Sequence, residues 1–380
     1  MWLPDFRLET YFSRWEFTAR HNLAASDLEA LSLRELLELA DETDRRAWHE
    51  LRLGYTETYG DPLLREAVAA GYERVDAGDV ICLSGAEEGI FLAMHVLLDT
   101  GDHAVVVTPT YQSVETVAAA RGEVTGVALD PRRGWALDLD AVRDALRPTT
   151  RLLAVNFPHN PTGAMVDEPT LRALAALCDE RGIHLFSDEV YRGMEADAAT
   201  TLPPAADLSP TALSLGVMSK AYGLPGLRIG WIACRDPRVL RRLERARHYT
   251  TICNSVPAEI LARIALKARD RLLDRGRRII ARNLPLFEAF FAEFADRFEF
   301  APPRGGCVCF PRYLGPGSAE QMCRDLVEQA GVLLLPPSVF ASRLTPVPSD
   351  RFRIGMGRTD AEAALAAFAG WLRRRPTTPA

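Results

Sequence analysis

The stretch Val217-Met218-Ser219-Lys220-Ala221-Tyr222-Gly223-Leu224-Pro225-Gly226-Leu227-Arg228-Ile229-Gly230 decides how this chain is read. Lys220 stands between a run of small and apolar residues and a glycine-rich turn, a setting that strips water from an amine. Desolvation disfavours the ammonium form, so such a lysine is easily kept uncharged and nucleophilic, ready to form an imine with a carbonyl. Arg228, framed by Gly226 and Gly230, supplies a planar fork for a phosphate. An imine-forming lysine beside a phosphate clamp suits a phosphorylated aldehyde. The dipeptide Ser219-Lys220 is common by itself, so the surrounding sequence has to agree.

Outward from this stretch, residues 80–234 alternate β-rich runs with helical ones. Strands are expected at 104–107, 152–156, 183–187, 212–216 and 229–234, with helices at 87–98, 113–121, 139–146 and 169–181. The last helix has Pro169 near its start and Gly182 just past its end, the usual asymmetry. This alternation predicts an α/β fold, a large domain whose mostly parallel sheet is covered by helices. Ligands in such sheets collect at the carboxyl ends of strands, and the polar clusters here follow the strands. From 269 to 375 the pattern changes to a long amphipathic helix, a Pro-Arg-Gly-Gly turn at 303–306, short strands and a closing helix from Asp360. That predicts a smaller α+β domain. Residues 1–45, helical with an aromatic cluster (Trp2, Phe6, Tyr11, Phe12, Trp15, Phe17), are expected to pack with it. The expected division is thus 46–268 for the large domain and 1–45 with 269–380 for the small one. The end, residues 376–380, is expected to fray.

The 380 residues, 48% hydrophobic and 25% charged, are those of a water-soluble globular chain with a substantial core. A net charge of −6 offers no electrostatic attraction to nucleic acid or an anionic membrane. No apolar run approaches a membrane span and the start lacks a signal-peptide pattern. The seven cysteines are scattered, which fits a reducing cytoplasm. Neither they nor the seven histidines show metal-ligand spacing. No Gly-x-Gly-x-x-Gly follows a strand, which disfavours a Rossmann dehydrogenase.

Further polar clusters carry candidate chemistry. Val155-Asn156-Phe157-Pro158-His159-Asn160-Pro161-Thr162-Gly163 ends a strand in a crowded turn. It is either a simple turn or the place where Asn160 offers its amide to a cofactor oxygen or a substrate carboxylate; Asn160-Pro161 is a candidate cis bond. In Ser187-Asp188-Glu189-Val190-Tyr191, Asp188 falls at the end of a buried strand, where a carboxylate needs a cationic partner or several hydrogen bonds. A protonated pyridine nitrogen is one such partner; a helix cap is the plainer alternative. Ser84-Gly85-Ala86-Glu87 opens an apolar helix whose first N–H groups can face an anion. Tyr111 follows a strand, either as core or stacked on an aromatic ring.

Together these residues resemble the fold-type I pyridoxal phosphate (PLP)-dependent enzymes, specifically the class I/II aminotransferases. The resemblance spans about residues 54–358, with the motifs in the family's order. It implies the fold-type I PLP-dependent transferase fold, with Lys220 as the Schiff-base lysine and Asp188 as partner of the pyridinium nitrogen. It implies that Tyr191 and Asn160 contact the phenolic oxygen and that Tyr111 stacks on the ring. Gly85, Ala86 and Glu87 match the backbone phosphate loop, with Ser219 and Arg228 completing the clamp. Tyr55 resembles the tyrosine that reaches the neighbouring subunit's phosphate, and Arg353 the arginine that grips the substrate α-carboxylate. The implied activity is transfer of an amino group between an amino acid and a 2-oxo acid, by a homodimer with shared sites. The chain departs from the pattern at Val217, where a Ser or Thr is frequent, and at Glu87, expected to point away from the phosphate. It departs again at 21–27, where His21, Ser26 and Asp27 stand and the usual glycine-rich turn is missing. These departures leave room for a lyase, an oxidase or a ring-forming enzyme on the same fold, or, without catalysis, a PLP-binding sensor. For a second substrate carboxylate, Arg14, Arg20, Arg192, Arg247 and Arg304 are the candidates.

Overall fold

Capping aspartates and left-handed glycines set many element boundaries, in a computed structural model that describes residues 3–375. Trp2 and the end expected to fray lie outside the described residues. The N-terminal part holds α1 (Arg7–Trp15), β1 (His21–Asn22), α2 (Leu33–Leu37), α3 (Glu42–His49) and α4 (Pro62–Ala69). The central part runs β2 (Val80–Leu83), α5 (Ala86–Leu97), β3 (His103–Thr108), α6 (Gln112–Ala119), β4 (Glu123–Ala128), α7 (Leu139–Ala145) and β5 (Thr150–Asn156). It continues with α8 (Glu168–Arg181), β6 (His184–Asp188), α9 (Ala205–Leu208), β7 (Leu213–Val217), β8 (Gly230–Ala233), α10 (Pro237–Arg247) and α11 (Val256–Lys267). In α8, Asp167 accepts from the Thr170 N–H at the start and Gly182, at φ +64°, ends the helix.

Strands β2 to β8 form one sheet in the order β2-β8-β7-β6-β5-β3-β4. Neighbours from β4 to β7 pair in parallel, and β8 alone runs against the rest. The expected strands are all present, and two more appear. The four residues of β2 are wholly buried, too short a run to show a period. The edge strand β4 carries Gly126 mid-strand, where a side chain would strike Leu344, and is only partly covered. The two faces of the sheet follow the strand period of two. Ala104 and Val106 pack with α5 and α6, while Val105 and Val107 join Leu171, Leu174 and Cys178 of α8.

The C-terminal part comprises α12 (Arg269–Glu293), β9 (Phe298–Glu299), β10 (Val308–Cys309), β11 (Arg312–Tyr313), α13 (Ala319–Ala330), β12 (Val332–Leu333), β13 (Ile354–Gly355) and α14 (Ala361–Arg373). Its core is built on phenylalanines, among them Phe287, Phe290, Phe298, Phe352 and Phe368. Residues 1–45 do not gather on this part as a block. Strand β1 pairs with β12, and α1 lies where Phe310 and Phe340 meet the large sheet. Leu36 and Ala40, by contrast, enter the cluster of Leu64, Ile260 and Ile264, because the apolar side of α2 and α3 faces α11. Phe17 stays out of the aromatic cluster, 91% exposed. Among the described residues no helix is long and apolar enough to cross a membrane.

Candidate active site

Sheet register assembles the site. Gly230 lies opposite Leu83 on one side and Val217 on the other. The turn after β2, the loop after β7 and Arg228 before β8 therefore share one corner at the strand ends. Gly85 sits at φ +96°, and a Cβ there would lie 2.5 Å from Nη2 of Arg228. A Cβ on Gly230 would lie 2.8 Å from the Gly85 carbonyl carbon. Ala86 and Glu87 begin α5, where backbone N–H groups have no partner within the helix. Arg228 donates through Nη1 to Ser219 Oγ at 3.5 Å. Gly85, Ala86, Glu87, Ser219 and Arg228 thus form one cradle of donors for an anion. A Gly85→Ala variant is expected to lower affinity for PLP about tenfold and to cost about 1–3 kcal/mol of stability, since both its φ and the Arg228 contact exclude a side chain. Calorimetric PLP titration and thermal unfolding check it.

Asp188 closes β6, paired in register with Asn156 at the end of β5. Its Oδ1 accepts from the Val190 N–H at 3.2 Å. Burial pushes its carboxyl up to about 6, opposed by that N–H and by the charge of Lys220. Asp188 makes no ion pair among the described residues, so it could take a cationic ring nitrogen as its partner. Asn156, not among the residues singled out from sequence, holds this edge: its Nδ2 donates to the Asp188 carbonyl at 2.9 Å and its Oδ1 accepts from the Asn160 N–H at 2.8 Å. The Asn160-Pro161 peptide is cis.

Lys220 follows β7 by three residues, and burial draws its amine below the usual lysine range, with Asp27 opposing. Its Nζ donates to Ser26 Oγ at 2.8 Å. Tyr191, fully enclosed, donates its hydroxyl to the Ser26 carbonyl at 2.7 Å. Arg353 is 1% exposed; Nη1 donates to Asn160 Oδ1 at 2.9 Å, Nη2 to the Ala24 carbonyl at 2.8 Å, and Nε is buried without a partner. A buried guanidinium with an unused donor is suited to a carboxylate. Tyr111 lies 5.2 Å from the Phe6 ring, and its hydroxyl donates to Glu9 at 3.0 Å. Glu87 turns its carboxylate to the Ser113 hydroxyl at 2.9 Å, and burial raises it to about 7. Tyr55 stands apart from all of these, 91% exposed on the single chain. His159 is locked between the Pro109 carbonyl and Thr162 and held down to about 4, hence neutral.

Residues 23–28 run as a fixed wall through the site. The Leu23 carbonyl accepts from the Gly355 N–H at 2.7 Å, and Asp27 pairs with Arg358 at 3.1 and 3.2 Å. A Cβ on Gly355 or Gly357 would collide with the carbonyl of Ala25 or Asp27, so the Gly-Met-Gly run at 355–357 was the sequence signal for this approach. Cys307 is also drawn in: burial pushes its thiol up to about 12, with Asp27, Lys220 and Arg353 among the charges around it. Lys220, the Gly85–Arg228 corner and Asp188 are the kinds of group that the aldehyde, phosphate and ring nitrogen of PLP would need, and Gly85, lacking a side chain, admits the Arg228 fork to the turn where a phosphate would be held.

The profile for aminotransferase class I and II matches residues 21–368. The chain is 33% identical over 371 residues to a capreomycidine synthase of Streptomyces vinaceus, covering 96% of this chain and 93% of that one. A PLP-dependent aminotransferase from Streptococcus suis superposes with a TM-score of 0.91 at 28% identity over all of both chains. The PLP-dependent cyclase OrfR superposes with a TM-score of 0.88 at 26% identity over 99% of each. By sequence and fold, the chain belongs to the class I and II aminotransferase family of PLP-dependent enzymes.

Proposed function

We propose that this enzyme takes the α-proton from an amino acid with a cationic side chain and directs the outcome to elimination at Cβ followed by ring closure. The contact of Lys220 Nζ with Ser26 Oγ at 2.8 Å carries this reading. Moving one proton between Cα and a cofactor carbon asks for the lysine alone. Expelling a group from Cβ also asks for a proton donor at that group, and a serine hydroxyl bonded to the lysine is such a donor. The relatives named as a capreomycidine synthase and a cyclase point the same way. Transamination between an amino acid and a 2-oxo acid is the second reading, favoured by the fit to the solved aminotransferase.

Bound in the site, PLP would hold the substrate nitrogen and draw electrons from Cα. Lys220 removes the α-proton, Arg353 holds the α-carboxylate, and Asp188 supplies the counter-charge at the far end of the ring. Tyr191 and Asn160 orient the site through Ser26 and Arg353. Ser26 passes a proton from Lys220 to the leaving group X on Cβ, so that H–X departs. A side-chain nitrogen then bonds to Cβ, and its proton returns to Cα through Lys220. The sum is loss of H–X with no oxidant.

The charge around the wall supports a cationic side chain. Asp27, Glu9 and Glu16 lie close enough to act electrostatically on Lys220 or on one another, against Arg358 on the facing segment. Glu16 has no ion pair among the described residues, and burial beside Asp27 and Glu9 raises its pKa. Glu9 and Glu16, neither of them ion-paired among the described residues, would suit a guanidinium or ammonium group. Arg192 and Arg247 spend donors on the carbonyls of Leu202, Gly71 and Thr58, away from the substrate. In this reading the working unit is a homodimer, with the exposed Tyr55 reaching the partner's cradle. All seven cysteines are free, which suits a cytoplasmic setting.

The test is product analysis with a panel of β-substituted amino acids. The wild type is expected to release H–X from cationic substrates and yield a cyclic product; Ser26→Ala is expected to slow this about a hundredfold while exchange of the α-proton with deuterated water continues. Accumulation of the amine form of the cofactor with release of an oxo acid, indifferent to Ser26, establishes transamination instead.

A further inference from the structure

Glu88, in the first turn of α5, is no part of the chemistry above, yet it is more fully engaged than any nearby carboxylate. Its side chain is 8% exposed. Oε2 accepts from the Ser84 N–H at 2.7 Å, directly before Gly85 of the anion cradle. Oε1 accepts from the hydroxyls of Thr250 at 2.6 Å and Thr251 at 2.8 Å. One carboxylate therefore fixes the backbone of the phosphate turn and the connection between α10 and α11.

That connection leads outward. It carries Tyr249, 90% exposed, and Ile252, half exposed and held at φ +66°. A β-branched residue keeps a left-handed conformation only where its surroundings impose it. Arg247, wholly buried beside Glu88, ties the same connection to a second exposed segment. It donates to the Thr58 carbonyl and to Asn254 Oδ1, while Thr56 donates to the Asn254 carbonyl at 3.2 Å. The second segment bears Leu53 and Tyr55, 83% and 91% exposed. The two most exposed apolar stretches of this region thus hang from one buried cluster, and Glu88 links that cluster to the cradle.

We propose that Glu88 is a positioning residue through which phosphate binding and subunit pairing are coupled. The inference rests on the homodimeric reading given above, with a second copy of this chain as the occupant of the exposed segments. An anion that orders the Ser84–Gly85 turn strengthens the Glu88 bonds to Thr250 and Thr251, and these hold Tyr249 and Ile252 in the shape the partner meets. Linkage makes the effect reciprocal: pairing tightens the cradle by the factor by which the anion tightens pairing.

The experiment measures self-association by sedimentation equilibrium, with and without PLP, together with PLP affinity by titration. It uses the wild type, Glu88→Ala and the double variant Thr250→Val/Thr251→Val, which spares the Ser84 bond and so guards against a merely misfolded Glu88→Ala. In the wild type PLP is expected to tighten pairing about tenfold; in both variants that gain falls to about threefold or less, the remainder coming from the direct reach of Tyr55 across the pair, and PLP affinity drops. A gain in the double variant equal to that of the wild type overturns the proposal. So does a wild type that binds PLP and pairs equally well without it, which leaves the PLP assignment standing. A wild type that refuses PLP overturns the functional reading itself.

Discussion

Lys220→Ala is expected to lose turnover by about a thousandfold or more, the largest effect of any single substitution in this chain. Among the described residues Lys267 is the one other lysine, and it is paired with Asp41 and Asp44, so the hydroxyl of Ser26 loses its amine partner once Nζ is gone. The fold should tolerate the change, because among the described residues the amine is held only by the Ser26 contact. Thermal unfolding near that of the wild type, together with loss of the visible absorbance of lysine-bound PLP, is the expected pair of observations. An alanine variant that keeps either that absorbance or full turnover removes Lys220 from its role.

Asp188→Asn is expected to cost about a hundredfold to a thousandfold in turnover, by withdrawing the negative charge that holds the ring nitrogen protonated. Its pH behaviour separates it from other losses. Burial raises Asp188 from its ordinary 3.8 to about 6, so the fold without PLP prefers the protonated carboxyl. The stability that this preference contributes is present below the unfolded value and is lost as pH rises from about 4 through about 6. A cationic ring reverses the preference, because it needs the ionised form. PLP affinity in the wild type should therefore increase as pH rises through about 6 and fall on acidification. An amide cannot titrate in this range, so Asp188→Asn should flatten this dependence as well as weaken binding. Titrations of PLP at several pH values check it; an unchanged slope in the variant shows that another group governs binding.

Much of the fold was legible because its elements are locally determined. Residues 104–107 and 152–155 are continuous apolar runs, as strands covered on both faces must be, and the helix between Asp167 and Gly182 carries its own start and stop. The edge strand β4 was not legible, since Gly126 and its partial exposure erase the pattern. Residues 1–45 read as one unit, but their helices face two different cores. Amphipathicity says that a helix has an apolar side, not which neighbour receives it.

The site divides in the same way. Lys220, Asp188, Asn160 and the Gly85–Arg228 pair could be proposed from sequence, because each depends on a side chain's chemistry in its local setting. What Tyr191 and Asn160 touch was not, nor the roles of Asn156, Arg358 and Glu88. The Tyr191 hydroxyl meets Ser26 across 165 positions of chain, and Arg353 meets Asn160 across 193. Contacts at such separations follow from strand register and from the course of residues 23–28 along β13, neither of which any local window encodes. Sequence alone singled out the groups proposed to form an imine, clamp an anion and offset a cation. Tertiary packing decided that a serine hydroxyl would stand against the lysine, since only the folded chain brings the N-terminal segment within hydrogen-bond reach of the loop after β7.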